Sequence, residues 1–198
     1  MLEQRIQQQF FEAADLHYQA AEVLGRSVAR AAQTIVAGLT AGSRVFVAGL
    51  GRAAALAQWF AADLVGHFER ERPALAAIAL SGDGVGQLLI VGGGGREQAL
   101  ARQVEALGHP GDVLLLIEPG AGQPGLAAAV RAAQAKEMTL VALTGRDGGT
   151  LGLAMGETDA LIAVPHERGA RVFEAQVLVL HALADAIDFQ LLGEQETT

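Results

Sequence analysis

The sequence predicts an α/β fold, a three-layer αβα sandwich built on a five-stranded parallel sheet. Five short apolar runs alternate with longer Ala-rich segments of helical periodicity. The run at residues 113–117 is apolar at every position, which is typical of a parallel strand buried on both faces. At residues 44–59, a β-branched and aromatic run ends at two glycines, and a helical pattern follows at once.

The elements follow one another in a regular order from residue 45. Clusters of Gly, Pro and Asp mark the turns between them. The predicted strands are 45–48, 76–80, 113–117, 139–143 and 160–164. The predicted helices are 53–68, 97–107, 126–136 and 170–192, with a short helix and a loop expected in the glycine-rich stretch 84–95. The charged run 69–72 is interpreted as a solvated helix end.

The first 40 residues predict two amphipathic helices. Apolar residues recur at helical spacing, Gly25 is expected to break the pattern, and Ser27 to cap the second helix. Such an arm packs on its own core or on a second subunit, and we expect both. We therefore expect one domain over 1–198, with a helical arm at 1–42, a core at 43–192 and a polar tail at 193–198.

Composition excludes several classes of function. The formal net charge is −8 and Lys and Arg do not cluster, which argues against direct binding of nucleic acid. The sequence has no Cys, so disulfides and thiolate metal sites are excluded. No signal-peptide core and no apolar run of about 18 residues are present, so we expect a cytoplasmic protein that does not enter a membrane.

The first loop, residues 49–54, has the order of a phosphate-binding turn. Gly49 and Gly51 follow the first strand and let the backbone approach an anion at the start of the next helix. Arg52, however, stands where a tight turn favours a small residue. In parallel sheets ligands bind beyond the carboxyl ends of the strands, so this loop and the segments 81–86, 118–123 and 144–149 form the expected site.

Four stretches of the sequence carry a resemblance to a known family. They are residues 71–80, 102–115 and 143–149, and Val164-Pro165 with Ala170-Arg171. Together they resemble the SIS domain (flavodoxin-like) of the phosphoheptose isomerase group, and within it the subfamily of DnaA initiator-associating proteins (DiaA). The likeness covers nearly the whole chain. It implies a homotetramer and a cleft that binds a phosphosugar.

The chain departs from the family pattern in the first loop. Family members have a Gly-Asn-Gly-x-Ser pattern there, and the Asn and Ser positions are Leu50 and Ala53 in this sequence. An Asn-Asp pair after the second strand is replaced by Gly92-Gly93. These changes remove polar groups that the resemblance assigns to the sugar phosphate.

The second loop, residues 118–123, departs further. The family's Ser-Thr-Ser-Gly-Asn-Ser is replaced by a segment from Glu118 to Gln123 without a hydroxyl group. Glu118 places a negative charge where a phosphate would lie. We expect Arg52 either to bind an anion or, as we favour, to close the cleft by pairing with Glu118. Thr144, after the fourth strand, completes the degenerate set of phosphosugar positions.

The resemblance also implies an acid–base pair. The family's Glu and His match Asp63 and His181, and isomerisation of an aldose to a ketose needs such a pair. The zinc ligands of the metal-dependent members match Trp59 and Phe173, which cannot bind a metal, so we expect no metal and no cofactor. We favour the interpretation that Asp63 and His181 are a remnant polar pair without activity, because Asp is one methylene shorter than Glu and proton transfer tolerates little misplacement.

Two classes of function remain from the sequence. The favoured one is a non-catalytic protein that binds the replication initiator DnaA, through positions that the resemblance places at Gln7, Leu191 and Leu192. The leucines are equally consistent with packing between subunits. The alternative is a sedoheptulose 7-phosphate isomerase, or a sensor that binds a phosphosugar without converting it.

Overall fold

The computed structural model describes residues 1–80, 95–120 and 122–194, apart from the side chains of Arg96 and Asp147. The predicted short helix and loop at 84–95 fall almost entirely outside the described residues. The expected site segment 81–86, the Gly92-Gly93 positions and most of the polar tail also lie outside them.

The described residues form an α/β fold, as predicted. The strands are β1 (Val45–Gly49), β2 (Ala77–Leu80), β3 (Val113–Glu118), β4 (Thr139–Thr144) and β5 (Ala160–Ala163). The helices are α1 (Leu2–Thr40), α2 (Arg52–Val65), α3 (Ala99–Leu107), α4 (Pro124–Ala135), α5 (Gly149–Ala154) and α6 (Gly169–Leu192). Short 3₁₀ turns precede α3 and α5, at Arg96–Gln98 and Arg146–Gly148.

The sheet has the strand order β2-β1-β3-β4-β5 in the described part of the chain, and every pair is parallel. Alternate residues of each strand point to opposite faces. Val45 and Leu115 pack with α1, α2 and α6 on one face, whereas Phe46 and Leu114 pack with α3 and α4 on the other. Helices therefore cover both faces, which confirms the three-layer sandwich.

The prediction of two N-terminal helices is wrong. Residues Leu2–Thr40 form one helix of 39 residues, and Gly25 lies inside it. The Ser27 hydroxyl donates to the Leu24 carbonyl at 2.9 Å, a bond within the helix rather than a cap. A glycine costs a helix about 1 kcal/mol relative to alanine, and burial of Leu24 and Val28 beside it outweighs that cost.

Helix α5 was not predicted. It is six residues long, and two of them, Gly149 and Gly152, disfavour a helix. Leu151 is buried at 1 % exposure and holds the segment against the core. Tertiary packing therefore decides the conformation where the local sequence favours a turn.

Helix α6 is long and apolar enough to cross a membrane by length and composition alone. In the fold, 44 % of its apolar window is buried inside the protein. Val172, Val179, Leu183 and Ile187 pack in the same core cluster as the sheet. The apolar composition of α6 therefore serves the core.

Candidate functional site

A cleft of about 510 Å³ opens at the carboxyl ends of β1 and β3, against the start of α6. This is the point where the strand order reverses, and ligands of open parallel sheets bind there. The lining residues come from the first loop, the second loop and the first turn of α6: Leu50, Gly51, Arg52, Pro119, Gly120, Gln123, Gly169 and Ala170.

The backbone geometry of the first loop requires its glycines. A Cβ at Gly49 would lie 2.6 Å from the Ala53 carbonyl oxygen, so only glycine allows α2 to approach β1 this closely. Gly51 has a φ of +60°, which side chains rarely adopt. Ala53 is fully buried and does not line the cleft. The loop therefore keeps its glycines for the fold, without a polar side chain from Leu50 or Ala53.

Arg52 does not close the cleft in the way the sequence suggested. Its guanidinium carbon lies 5.9 Å from the centroid of the Phe173 ring, a cation–π distance. No ion pair joins Arg52 to Glu118, although both residues are described. The favoured pairing is therefore wrong, because Glu118 has other partners and Arg52 finds an aromatic face near the exposed rim.

Glu118 is buried and bonded to its own loop. One carboxylate oxygen accepts the Gln123 N–H at 3.0 Å, and the Gly122 N–H also donates to the carboxylate. Burial raises the pKa of Glu118 above its ordinary value, and these two hydrogen bonds offset part of that rise. The Glu118 carboxylate thus occupies the backbone N–H groups just before α4, where the resemblance implies that a phosphate binds.

A second cavity, of about 460 Å³, lies on the other side of the second loop, beside the end of β4. Glu118, Thr144 and Gly145 line it together with the loop from β5 to α6. The Thr144 hydroxyl is buried and donates to the Gly145 carbonyl at 3.0 Å. Thr144 is a predicted phosphosugar position, and its hydroxyl proton is therefore already used in a hydrogen bond within the chain.

Asp63 and His181 lie close enough to interact electrostatically, as the resemblance implies. Burial raises the pKa of Asp63 above its ordinary value, and the positive charges of His181 and Arg72 offset part of the rise. The His181 ring packs edge-on to Trp59, with centroids 4.9 Å apart, and stacks on Phe68 at 5.2 Å. The acid–base positions are present, but two aromatic rings flank the imidazole.

Phe68 was missed as a site residue because it lies beyond the end of α2, where the sequence predicted a helix turn. The sequence spacing between Phe68 and Asp63 gave no indication that the Phe68 ring stacks on His181 of α6. Among the described residues, no group of three or more His, Asp or Glu side chains is placed to hold a metal ion.

The three predicted partner positions are not adjacent within one chain. Gln7 lies near the exposed start of α1, and the neighbouring Gln9 side chain accepts from Arg168 at the start of α6. Leu191 and Leu192 lie at the other end of α6, roughly 35 Å away at 1.5 Å per residue. Leu191 is half-buried against the core, whereas Leu192 is 41 % exposed.

The charged run 69–72 follows the end of α2 and is solvated only in part, since Glu69 and Glu71 are exposed and Arg72 is not. The Arg72 side chain is 1 % exposed and pairs with Asp188, which is 2 % exposed, at 2.5 Å. The sequence did not indicate this pairing, since 116 positions separate the two residues.

The family model that describes the SIS domain matches residues 9–145. The chain belongs to the SIS domain family. A phosphoheptose isomerase of Methylibium petroleiphilum is 53% identical over 199 residues, covering 100% of this chain and 99% of the relative. A DnaA initiator-associating protein DiaA of Serratia proteamaculans is 42% identical over 192 residues, covering 97% of this chain and 98% of the relative.

A solved structure shows the same SIS domain architecture. The phosphoheptose isomerase GmhA of Neisseria gonorrhoeae matches with a TM-score of 0.89 and 35% identity, covering 95% of this chain and 99% of that one. The relatives are thus named both for phosphoheptose isomerase activity and for association with DnaA, the two functions that the sequence analysis considered.

Proposed function

We propose that this SIS domain protein is a non-catalytic binding protein that holds the replication initiator DnaA and promotes its assembly at the chromosomal origin. The observation that carries the non-catalytic part is the bonding of the Glu118 carboxylate to the Gly122 and Gln123 N–H groups. The partner follows from similarity to relatives named for association with DnaA.

The Glu118 carboxylate opposes a phosphosugar in two ways. It accepts backbone hydrogen bonds that an anion at this helix start would need. When ionised, it also repels a phosphate a few ångströms away by about 1 to 4 kcal/mol at dielectric constants of 80 to 20. Leu50 and Ala53 supply no hydrogen bond in compensation.

The proposed mode of action is avidity. A homotetramer presents several copies of one weak site, so it raises the effective concentration of bound DnaA without new contacts. The proposed contact residues are Gln7, Leu191 and Leu192, and the exposure of Leu192 makes it the better apolar anchor. The protein acts in the cytoplasm, with no direct contact to nucleic acid and no cofactor.

The test compares capture of purified DnaA by the wild-type protein and by Leu192→Ala. Leu153→Ala is the matched control, because Leu153 is 90 % exposed on a different helix, α5. We expect Leu192→Ala to weaken capture about tenfold, the cost of losing an interface anchor, and Leu153→Ala to leave it unchanged. Absence of capture by the wild type at micromolar concentrations contradicts the proposal.

A second candidate, phosphoheptose isomerase activity, is favoured by the interaction of Asp63 with His181. The relative with 53% identity bears that name. Incubation with sedoheptulose 7-phosphate distinguishes the two functions. Turnover that His181→Ala abolishes would establish the enzyme, whereas binding of the sugar phosphate without turnover would establish the sensor.

A further inference from the structure

A buried arginine joins the end of α2 to the end of α6. The Arg72 guanidinium donates to the main-chain carbonyls of Asp63 at 2.7 Å and Leu64 at 2.8 Å, and to that of Gly66 at 3.3 Å. Its Nε donates to Asp188 on α6 at 2.5 Å. One planar side chain thus satisfies the carbonyls that α2 leaves open at its end and also bonds a neighbouring helix.

A second arginine bonds the same end of α6. Arg70 Nη1 donates to the Gly193 carbonyl at 2.8 Å. The last turn of α6 carries no basic residue of its own, although its carbonyl groups and dipole favour a cation there. Arg70 and Arg72, from the segment between α2 and β2, supply these cations from elsewhere in the chain.

The two arginines bracket the proposed partner surface. Asp188 lies one turn before Leu192, and Gly193 follows it directly. Phe189, at 50 % exposure, lies three positions before Leu192 and so shares its side of the helix. The exposed apolar side chains are therefore carried by a helix end that is held at Asp188 and at Gly193, before and after Leu192 in the sequence.

We propose that Arg70 and Arg72 are positioning residues for partner binding, which hold the last turn of α6 so that Leu192 and Phe189 are presented in a fixed arrangement. This inference rests on the proposed function. A preordered surface binds more tightly because less conformational entropy is lost on binding. The residues touch the helix end and act on the partner through it.

Arg70→Ala gives the cleanest test, because it removes one hydrogen bond and leaves the buried pair of Arg72 with Asp188 intact. Arg131→Ala, an exposed change on α4, is the control. We expect amide hydrogen exchange at 189–193 to become about tenfold faster in Arg70→Ala, with α4 unchanged. Unchanged exchange at 189–193, or an equal rise throughout the chain, overturns the inference.

Capture of purified DnaA supplies the functional readout. We expect the dissociation constant of Arg70→Ala to rise about tenfold, and that of Arg131→Ala to match the wild type. Wild-type affinity in Arg70→Ala, together with a loosened helix end, overturns this inference alone. Absence of capture by the wild-type protein overturns the proposed function as well, so the two failures are distinguishable.

Arg72→Lys tests the other half of the arrangement with the charge retained. A lysine ammonium cannot reproduce the planar fork that bonds both helices. We expect faster exchange at the ends of both α2 and α6 and weaker capture of DnaA than in the wild type. Faster exchange at α2 alone, with full capture, would show that Arg72 caps α2 without positioning the partner surface.

Discussion

The cleft and the end of α6 satisfy their polar groups in opposite ways. At the cleft, Glu118 accepts N–H groups of its own loop, so the chain itself occupies donors that a ligand would use. At the end of α6, Arg70 and Arg72 reach over from a distant segment and leave Leu192 and Phe189 exposed. In the first arrangement the chain occupies its own backbone donors, whereas the second leaves an apolar surface exposed.

Under the proposed function, this difference separates a cleft that no longer favours a phosphosugar from a helix end that contacts the partner. In the first loop, Leu50 offers no hydrogen bond to a sugar phosphate and the Arg52 guanidinium lies against the Phe173 ring, while in the second loop the Glu118 carboxylate accepts N–H groups of its own loop. At the helix end, a buried ion pair, which is costly to maintain, joins Arg72 to Asp188. Substitutions in the two regions should therefore differ in size and in the property that they change.

The largest effect is expected from Arg72→Ala. It leaves Asp188 as a buried carboxylate without its cation, which costs about 3–5 kcal/mol in the free energy of unfolding. Thermal unfolding followed by circular dichroism should show a melting temperature lower by roughly 10 °C for a chain of this size. A change of less than about 1 kcal/mol would mean that the pair contributes little and would weaken the comparison.

Gly49→Ala is expected to have the next largest effect. The new Cβ would meet the Ala53 carbonyl oxygen at 2.6 Å, so α2 must shift, at a cost of about 1–3 kcal/mol. Chemical denaturation measures this loss. Retained stability would contradict the conclusion that the first loop keeps Gly49 for packing.

Gly25→Ala is expected to stabilise the protein by about 0.5–1 kcal/mol, since alanine is the better helix former and no neighbouring atom lies within 4 Å of the new Cβ. A gain in stability would agree with α1 being one continuous helix that packs beside α6. Loss of stability in the same denaturation experiment would favour a helix break at Gly25 instead.

Glu118→Gln is expected to have the smallest effect and to show it through pH. Because burial raises the pKa of Glu118, the folded protein binds this proton more tightly than the unfolded chain. The stability gained by binding this proton is present at low pH, and it is lost as the pH rises through the pKa of Glu118 in the folded protein. The melting temperature of the wild type should therefore fall relative to that of Glu118→Gln between pH 4 and pH 8.

If the two melting temperatures change in parallel over that range, burial does not raise the pKa of Glu118. Glu167→Gln provides the control, because Glu167 is an exposed carboxylate close to the same loop.

The sheet and its flanking helices could be predicted because their patterns are local. The buried strand β3 is apolar from Val113 to Ile117, and the glycines at the end of β1 mark the turn into α2. The single helix α1 could not be predicted, because the local penalty at Gly25 is outweighed by burial of Leu24 and Val28 in contacts with α6 and the sheet.

The site was predictable in part for the same reason. Its position at the strand ends and the loss of hydroxyl groups follow from the sequence. The partner of Glu118 was misassigned to Arg52 across the cleft, whereas the actual donors lie four and five residues further along the same loop. The pairing of Arg72 with Asp188 depends on the tertiary fold and left no local pattern.

The distance between Gln7 and Leu192 has a consequence for how binding would respond to concentration. The two residues lie near opposite ends of α6, roughly 35 Å apart. A single partner surface that includes both would combine residues of different copies and would exist only after assembly. Dilution of the protein would then weaken capture of the partner more steeply than a one-to-one equilibrium allows, so the oligomer itself would act as the switch.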